Sequence, residues 1–199
     1  MHPDPAFRMD DPEAVRAFVA RRAFAHIFAC TADGPALAHA PVQVTEEGNL
    51  RFHLSRRNPV FARIDGAQAI ASLTDADCYI SPDWYGTPDQ VPTWNYLAAE
   101  AHGTIRRLPD GATPDQLDAL STAHEARLAP KPVWTRKKMG PGRFEAMLGA
   151  IGSFELVVSE WRGTAKLSQN KSAAQRQGVV AALRALGRDD AADLIEAAR

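Results

Sequence analysis

The stretch FAHIFACTADGPALAHAPVQV, residues 24–44, constrains the fold of this chain more than any other. It predicts two strands joined by a tight turn at Ala32-Asp33-Gly34, a pattern typical of hairpins. The segment LRFHLS follows, with apolar and polar residues alternating as in a half-buried strand. Short turns join antiparallel neighbours, whereas parallel strands need a long crossover. The pattern therefore favours an antiparallel sheet over a doubly wound fold.

The remaining segments extend this sheet and add helices around it. Strands are predicted in AQAIASLT, CYI, TWNYLAAEAHGTIRRL and FELVVSEWRGTAKL. Helices are predicted in DDPEAVRAFVARRA, NPVFARI, TPDQLDALSTAHEARL, RFEAMLGAI, SAAQRQGVVAALRALG and DDAADLIEAAR. Capping boxes are expected at Thr113/Gln116 and at Ser172/Gln175. We therefore expect a mainly β, α+β fold: a small antiparallel β-barrel decorated by helices.

Charge and composition narrow the function classes. The formal net charge is −1, so the chain as a whole offers no electrostatic case for DNA contact. No apolar run approaches the roughly 18 residues of a membrane span, and the N-terminus lacks a signal pattern. We therefore expect a cytoplasmic protein, with Cys30 and Cys78 as buried, reduced thiols.

The segment FHLSRRNPVF is a candidate anion site. Arg56 and Arg57 precede a predicted helix with Asn58 as its cap. The first N–H groups of a helix lack intrahelical partners and carry partial positive charge. Two guanidinium groups beside such an end suit a phosphate, although a solvated turn would look the same. His53 and Ser55 share the polar face of the preceding strand.

The loop YISPDWYGTPDQVPTWNY concentrates aromatic rings among stiffening prolines. So much aromatic area in one loop either packs on the core or covers a flat ligand. A second polar segment, KLSQNK, precedes the last two helices and holds more hydrogen-bonding side chains than a connector needs. It either supplies donors to a ligand or a partner chain, or clamps the final helices within the chain.

The six histidines show no metal-binding spacing, and no nucleophile or nucleotide-binding motif is present. Catalytic residues are therefore not predicted. His39 and His53 fall on adjacent strands, which leaves a haem ligand open as an alternative.

Several of these segments together resemble one protein family. YISPDWYG, VPTWNY, KLSQNKS, HLSRRNP and DDPEAVRAFV are similar to the PaiB-type family of FMN-binding split-barrel proteins, some of them named negative transcriptional regulators. The resemblance runs from about residue 2 to about residue 185. It implies an FMN-binding split β-barrel domain over residues 1–165, with a helical insertion at about 113–150. A C-terminal helical segment, residues 166–199, would pack on that barrel.

The resemblance also implies a homodimer with the flavin in a groove at its interface. The strand end HLSRRNP would hold the cofactor phosphate through His53, Ser55, Arg56 and Asn58, whereas Arg57 stands where the family has a small residue. The remaining cofactor-binding residues implied by the resemblance are His39, Ala40, Pro41, Trp94, Asn95, Lys166, Ser168, Gln169 and Asn170.

Three functions stay open on the sequence. The first is a flavin-dependent redox protein acting on a small molecule, since a flavin brings its own redox chemistry. The second is a transcriptional regulator, which would act without an evident DNA-binding motif. The third is a haem-binding or haem-degrading protein on the same barrel, using His39 or His53.

Overall fold

The computed structural model describes residues 2–198 and contains six strands and five α-helices within them. Their order in the chain is α1 (Pro12–Arg22), β1 (Phe24–Thr31), β2 (Gly34–Val44), β3 (Leu50–Ser55), β4 (Gln68–Ile80), β5 (Thr93–Arg107), α2 (Thr113–Glu125), α3 (Arg143–Leu148), β6 (Ile151–Lys166), α4 (Ala173–Ala185) and α5 (Asp189–Ala197).

The strands form one sheet with the order β1-β2-β3-β6-β5-β4. β1 pairs antiparallel with β2 and also with β4, so the sheet closes on itself. β2 pairs antiparallel with β3, and β3 with β6. This confirms the predicted antiparallel α+β fold, in which a small barrel is decorated by helices.

Contacts along the chain define two compact units. Unit 1 comprises residues 2–18, 73–100 and 161–198, and unit 2 comprises residues 19–72 and 101–160, both given for the described residues. In the part of the chain that the structure describes, no helix is both long and apolar enough to cross a membrane.

The core of unit 2 is built by the alternation predicted for β3. Leu50, Phe52 and Leu54 are buried. The ring of Phe52 stacks on Phe154 of β6 with 5.5 Å between centroids, and Phe61 packs edge-on against Phe154 at 5.1 Å. Aromatic pairs at these distances add to the stabilisation from their buried area.

Unit 1 contains α4 and α5. The Ser172 hydroxyl accepts from the Gln175 N–H at 3.3 Å, and the Gln175 side chain accepts from the Ser172 N–H at 3.0 Å. The capping box predicted there is confirmed. Gly187 follows the helix with φ +71, a left-handed conformation that glycine tolerates and that commonly ends a helix.

The helix predicted at residues 58–64 is wrong. Residues 56–63 form successive turns, in which the Phe61 N–H donates to the Asn58 carbonyl and the Arg63 N–H to that of Val60, both at 3.0 Å. Val60, Phe61 and Ile64 are all buried. The need to bury these side chains within one short connection outweighs their helical pattern.

Two further expectations are corrected. The capping box at Thr113 is absent, because Thr113 is buried and accepts a hydrogen bond from the Ser153 hydroxyl at 3.0 Å. Cys30 is exposed rather than buried, since it lies on the outer face of β1, whereas Cys78 is buried. Both thiols are free, and burial raises the pKa of Cys78.

Candidate functional site

The first candidate site is the turn at residues 55–58 in unit 2. Its backbone N–H groups are already engaged: Arg56 donates to the Ala150 carbonyl at 2.9 Å, and Arg57 to the Ser55 hydroxyl at 3.2 Å. The Asn58 N–H donates to the Ser55 carbonyl, and the Asn58 side chain accepts from Val60 at 3.1 Å. Because no helix begins here, an anion would be held by side chains rather than by free backbone N–H groups.

A cluster of guanidinium groups surrounds one carboxylate beside this turn. Arg56 donates to Asp110 at 2.7 Å, and the Arg107 guanidinium lies 3.7 Å from the same carboxylate. Both guanidinium groups stand over the Phe61 ring, at 5.4 and 5.2 Å from its centroid. The hydrogen bond from Arg56 is the main reason why the pKa of Asp110 is lowered.

This cluster carries an excess of positive charge. Two arginines share Asp110, and Arg57 is exposed, with no ion pair to any residue in the range 2–198. A guanidinium has five N–H donors, so one carboxylate does not saturate two of them. The residues present therefore fit a phosphate group.

His53 lies on β3 just before the turn. Its Nδ1 atom is buried and has no hydrogen-bond partner among the described residues. Burial lowers the pKa of this imidazole, which favours the neutral ring. A buried polar atom without a partner costs about 1–3 kcal/mol and is a feature that a ligand can relieve.

The segment of residues 39–41, predicted to bind the cofactor, lies beside an apolar outer face of β1 and β2 in unit 2. Phe24 and Phe28 of β1 and Leu37 of β2 are each between 44% and 49% exposed. His39 is directly opposite His26, and their rings meet edge to face with 4.9 Å between centroids. A flat ligand ring would find here both apolar area and imidazole nitrogen atoms.

Within residues 39–41, two of the three side chains lie where they could contact such a ligand. His39 is exposed and Pro41 is half-buried, whereas Ala40 is 1% exposed. Successive residues of a strand point to opposite faces, so the methyl group of Ala40 lies in the core. A ligand on the face of His39 would meet only the backbone of Ala40.

The second candidate site is a cavity of about 260 Å³ within unit 1. Four of the predicted residues line it: Asn95, Lys166, Ser168 and Asn170. Trp94 does not, because it precedes Asn95 on β5 and points the other way, where its ring packs 5.8 Å from that of Tyr79. Gln169 is turned toward its own backbone, donating to the Ala165 carbonyl and accepting from the Leu167 N–H.

The polar segment KLSQNK forms several hydrogen bonds within unit 1. Lys166 donates to Thr93 at 2.7 Å, Lys171 to Gln90 at 2.8 Å, and Asn95 to the Ser168 hydroxyl at 2.8 Å. Gln175, at the start of α4, donates to Thr87 at 2.9 Å. These contacts are consistent with one of the two roles expected for this segment, a clamp within the chain. Lys166 and Lys171 each use one N–H donor in them and keep the other donors for a further partner.

Sequence reasoning missed several members of these two sites. Asp110 and Arg107 are about 50 residues away from Arg56 in the chain, and no local pattern joins them. Lys171 also lines the cavity, and it is the last residue of the polar segment KLSQNK. Its positive charge is the sequence feature that marks it as a candidate anion-binding residue. Within residues 2–198, no group of three or more histidine, cysteine or acidic side chains is arranged to hold a metal ion.

Known proteins share this fold and parts of this sequence. The Bacillus subtilis protein named "Protease synthase and sporulation protein PAI 2" is 23% identical over 178 residues, covering 87% of this chain and 84% of that protein. The FAD and heme binding protein from Mycobacterium smegmatis has a TM-score of 0.60 at 19% identity, covering 87% of this chain and 79% of its own. The flavocytochrome Anf3 from Azotobacter vinelandii has a TM-score of 0.54 at 17% identity, covering 83% and 72%.

A family model described as "Putative FMN-binding domain" matches residues 1–160. The match covers most of the chain, including the turn at residues 55–58 and five of the six strands in full. This chain therefore belongs to that FMN-binding domain family.

Proposed function

We propose that this chain is a cytoplasmic flavoprotein that binds FMN, with the cofactor phosphate at the turn of residues 55–58. The observation that carries the proposal is the pair Arg56 and Arg107, which shares the carboxylate of Asp110, with the exposed Arg57 next to Arg56 in the chain. Charge-assisted hydrogen bonds from guanidinium groups suit a phosphate dianion. Ser55 and the orphaned Nδ1 of His53 add polar groups on the same strand end.

The isoalloxazine ring would lie on the apolar outer face of β1 and β2, beside His39 and Pro41. A flat ring system gains from covering the exposed Phe24, Phe28 and Leu37 side chains. FMN, when bound, supplies hydride and electron transfer chemistry to a small-molecule substrate. The protein residues bind the phosphate, orient the ring and keep water from one of its faces.

We also propose that the functional form is a homodimer, in which a second copy covers this apolar face. Three apolar side chains, each about half exposed on neighbouring strands, form a candidate interaction surface that a second copy would cover. A role in transcription would then act through a partner protein, because the net charge of −1 does not favour DNA contact. The contribution of Trp94, Asn95, Lys166, Ser168, Gln169 and Asn170 to the flavin site stays a prediction.

The phosphate assignment is tested by replacing Arg56. Arg56→Ala should weaken FMN binding by about 1.5–3 kcal/mol, the range for a charge-assisted hydrogen bond. Titration of FMN, followed by quenching of its fluorescence, measures the affinity.

Asp110→Asn is the matched control for this test. It removes the competing carboxylate while keeping Arg56, so FMN affinity should be unchanged or higher. Equal affinity for the Arg56→Ala variant and the unaltered chain would remove the phosphate from this turn.

Haem binding is the second candidate function. His26 and His39 meet on an exposed apolar face, which is the combination that an axial ligand and a porphyrin ring require. The fold neighbours named above include an FAD and heme binding protein and a flavocytochrome. A haem absorption band that disappears in His39→Ala but persists in His53→Leu would favour this candidate.

A further inference from the structure

The cavity in unit 1 has the composition of a ligand site in its own right. It has a volume of about 260 Å³, just below the usual range for small-molecule pockets. Phe7, Tyr85 and Val91 form apolar parts of its wall, and Lys166, Lys171 and Asn95 supply polar groups. All these residues belong to unit 1, whereas the proposed FMN phosphate site belongs to unit 2.

Two ammonium groups line the cavity without a carboxylate partner among residues 2–198. Lys166 donates to the Thr93 hydroxyl and lies 5.7 Å from the centroid of the Phe7 ring. Lys171 donates to the Gln90 side chain and lies 4.7 Å from the centroid of the Tyr85 ring. Each ammonium has three N–H donors, so neutral partners leave donors for an anion. The aromatic rings fix the two positive charges in place.

Asn95 adds an independent sign of a missing ligand. It is 1% exposed and donates to the Ser168 hydroxyl at 2.8 Å, but its Oδ1 atom is buried and finds no hydrogen-bond partner within residues 2–198. A buried amide oxygen is nearly always paired in native proteins. The atom that would pair with it is a hydroxyl or amino donor.

Among the described residues, Asp4 is the acidic residue that lines the cavity. Its contacts are consistent with a ligand that carries a hydrogen-bond donor. Asp4 uses Oδ1 to accept from the Ala6 N–H at 2.9 Å, which leaves its second oxygen available as an acceptor. A bare anion would be repelled by this carboxylate. An anion that also carries a hydroxyl donor would pair with Asn95, and one with an amino group or a second hydroxyl would pair with Asp4 as well.

We propose that this cavity binds a small organic anion, either a carboxylate or a phosphate monoester, that also carries a hydroxyl or amino donor. The anionic group lies between Lys166 and Lys171, and the donor bonds to the Asn95 amide oxygen. Phe7, Tyr85 and Val91 contact the carbon skeleton. This assignment goes beyond FMN binding and does not depend on it.

Calorimetric titration of the full chain with four probes tests the chemistry. Malate and succinate differ by one hydroxyl on a dicarboxylate, and glycerol 3-phosphate and propyl phosphate form the corresponding phosphate pair, which differs by two hydroxyls. The member with hydroxyl groups should bind at least about fivefold more tightly than its partner, the effect of one hydrogen bond. Binding of the dicarboxylate pair would identify a carboxylate as the anionic group, and binding of the phosphate pair would identify a phosphate. No binding of any probe up to about 10 mM would overturn the proposal.

Variants then place the binding in the cavity. Lys166→Met and Lys171→Met should each weaken the best probe about tenfold or more, because each removes a charge-assisted contact. Lys137→Met, an exposed lysine in unit 2, is the matched control and should have no effect. Asn95→Leu should abolish the preference for the hydroxylated probe; if that variant does not fold, the two lysine variants still decide. Equal binding by both lysine variants and the unaltered chain would overturn the proposal.

FMN binding is measured in the same variants, so that the two proposals can fail separately. We expect Lys171→Met to retain FMN, because Lys171 is not among the residues predicted to contact the flavin. Loss of FMN affinity in Lys171→Met would assign the cavity to the flavin site and overturn a separate anion cavity. Probe binding by a chain that does not bind FMN would leave the cavity assignment standing and remove the proposed flavin function.

Discussion

His53 is a residue whose environment has a measurable consequence. Its imidazole projects from β3, its Nδ1 atom is buried with no hydrogen-bond partner in the described part of the chain, and burial lowers its pKa. The folded chain therefore holds the ring neutral at a pH where the unfolded chain begins to protonate it. Because the unfolded state then binds more protons, the free energy of unfolding falls as the pH drops below about 6.5. Well above about pH 6.5 the ring is neutral in both states, so the lowered pKa of His53 does not reduce the free energy of unfolding there.

Replacing His53 should remove this part of the pH dependence. In urea unfolding at about pH 7.5 and about pH 5, His53→Leu should lose less stability on acidification than the unaltered chain, by up to about 1.4 kcal/mol per pH unit. His124→Gln, at a half-buried histidine of α2, is the control. Identical losses in the His53→Leu variant and the unaltered chain would contradict the assignment.

For single residues, the sequence predicts groups that are close together in the chain. It does not predict contacts between residues that only the folded chain brings close to each other. His53, Ser55, Arg56 and Asn58 could be grouped because they are neighbours in one short segment. Their partner Asp110 could not, since only the folded chain places its carboxylate against Arg56. The same holds for the buried pair of Asn95 and Ser168, which joins residues 73 positions apart.

At the scale of elements, α4 carries a glycine in its interior for a packing reason. A Cβ atom on Gly178 would lie 2.2 Å from the Trp84 carbonyl oxygen, in the 3-10 turn Pro82–Tyr85 of the same unit. Glycine in a helix interior normally destabilises by about 1 kcal/mol relative to alanine. Here the close approach of the two backbones should reverse that sign.

Gly178→Ala should therefore lower the free energy of unfolding, by about 1–3 kcal/mol as in other overpacked sites. Gly111→Ala is the control, because a Cβ atom there would meet nothing within 4 Å. Thermal unfolding measures both. A stabilised Gly178→Ala variant would show that α4 does not pack this closely on the turn.

The elements themselves were predictable where side-chain periodicity and burial agree. β3 alternates between core and surface as its sequence does, and the Ser172/Gln175 box starts α4 as expected. Residues 58–64 have helical spacing, but their chain forms turns because the apolar side chains must be buried over a short connection. At Thr113 a buried hydroxyl contact replaced the expected cap.

For the whole molecule, the proposed homodimer forms through the exposed face of Phe24, Phe28 and Leu37. Phe28 and Leu37 are directly opposite each other on β1 and β2, so replacing both by threonine should separate a homodimer while keeping strand propensity. Light scattering after size exclusion should give twice the chain mass for the unaltered protein and the chain mass for the double variant. Leu186→Ser, at another exposed position, should leave the mass unchanged. A monomeric unaltered protein would rule out the dimer.

A visible absorption spectrum shows whether the unaltered protein binds FMN. The purified protein is mixed with FMN, passed through gel filtration and scanned. We expect flavin bands to elute with the protein at about one FMN per chain. A colourless protein peak, with all of the flavin in the small-molecule fractions, would contradict it.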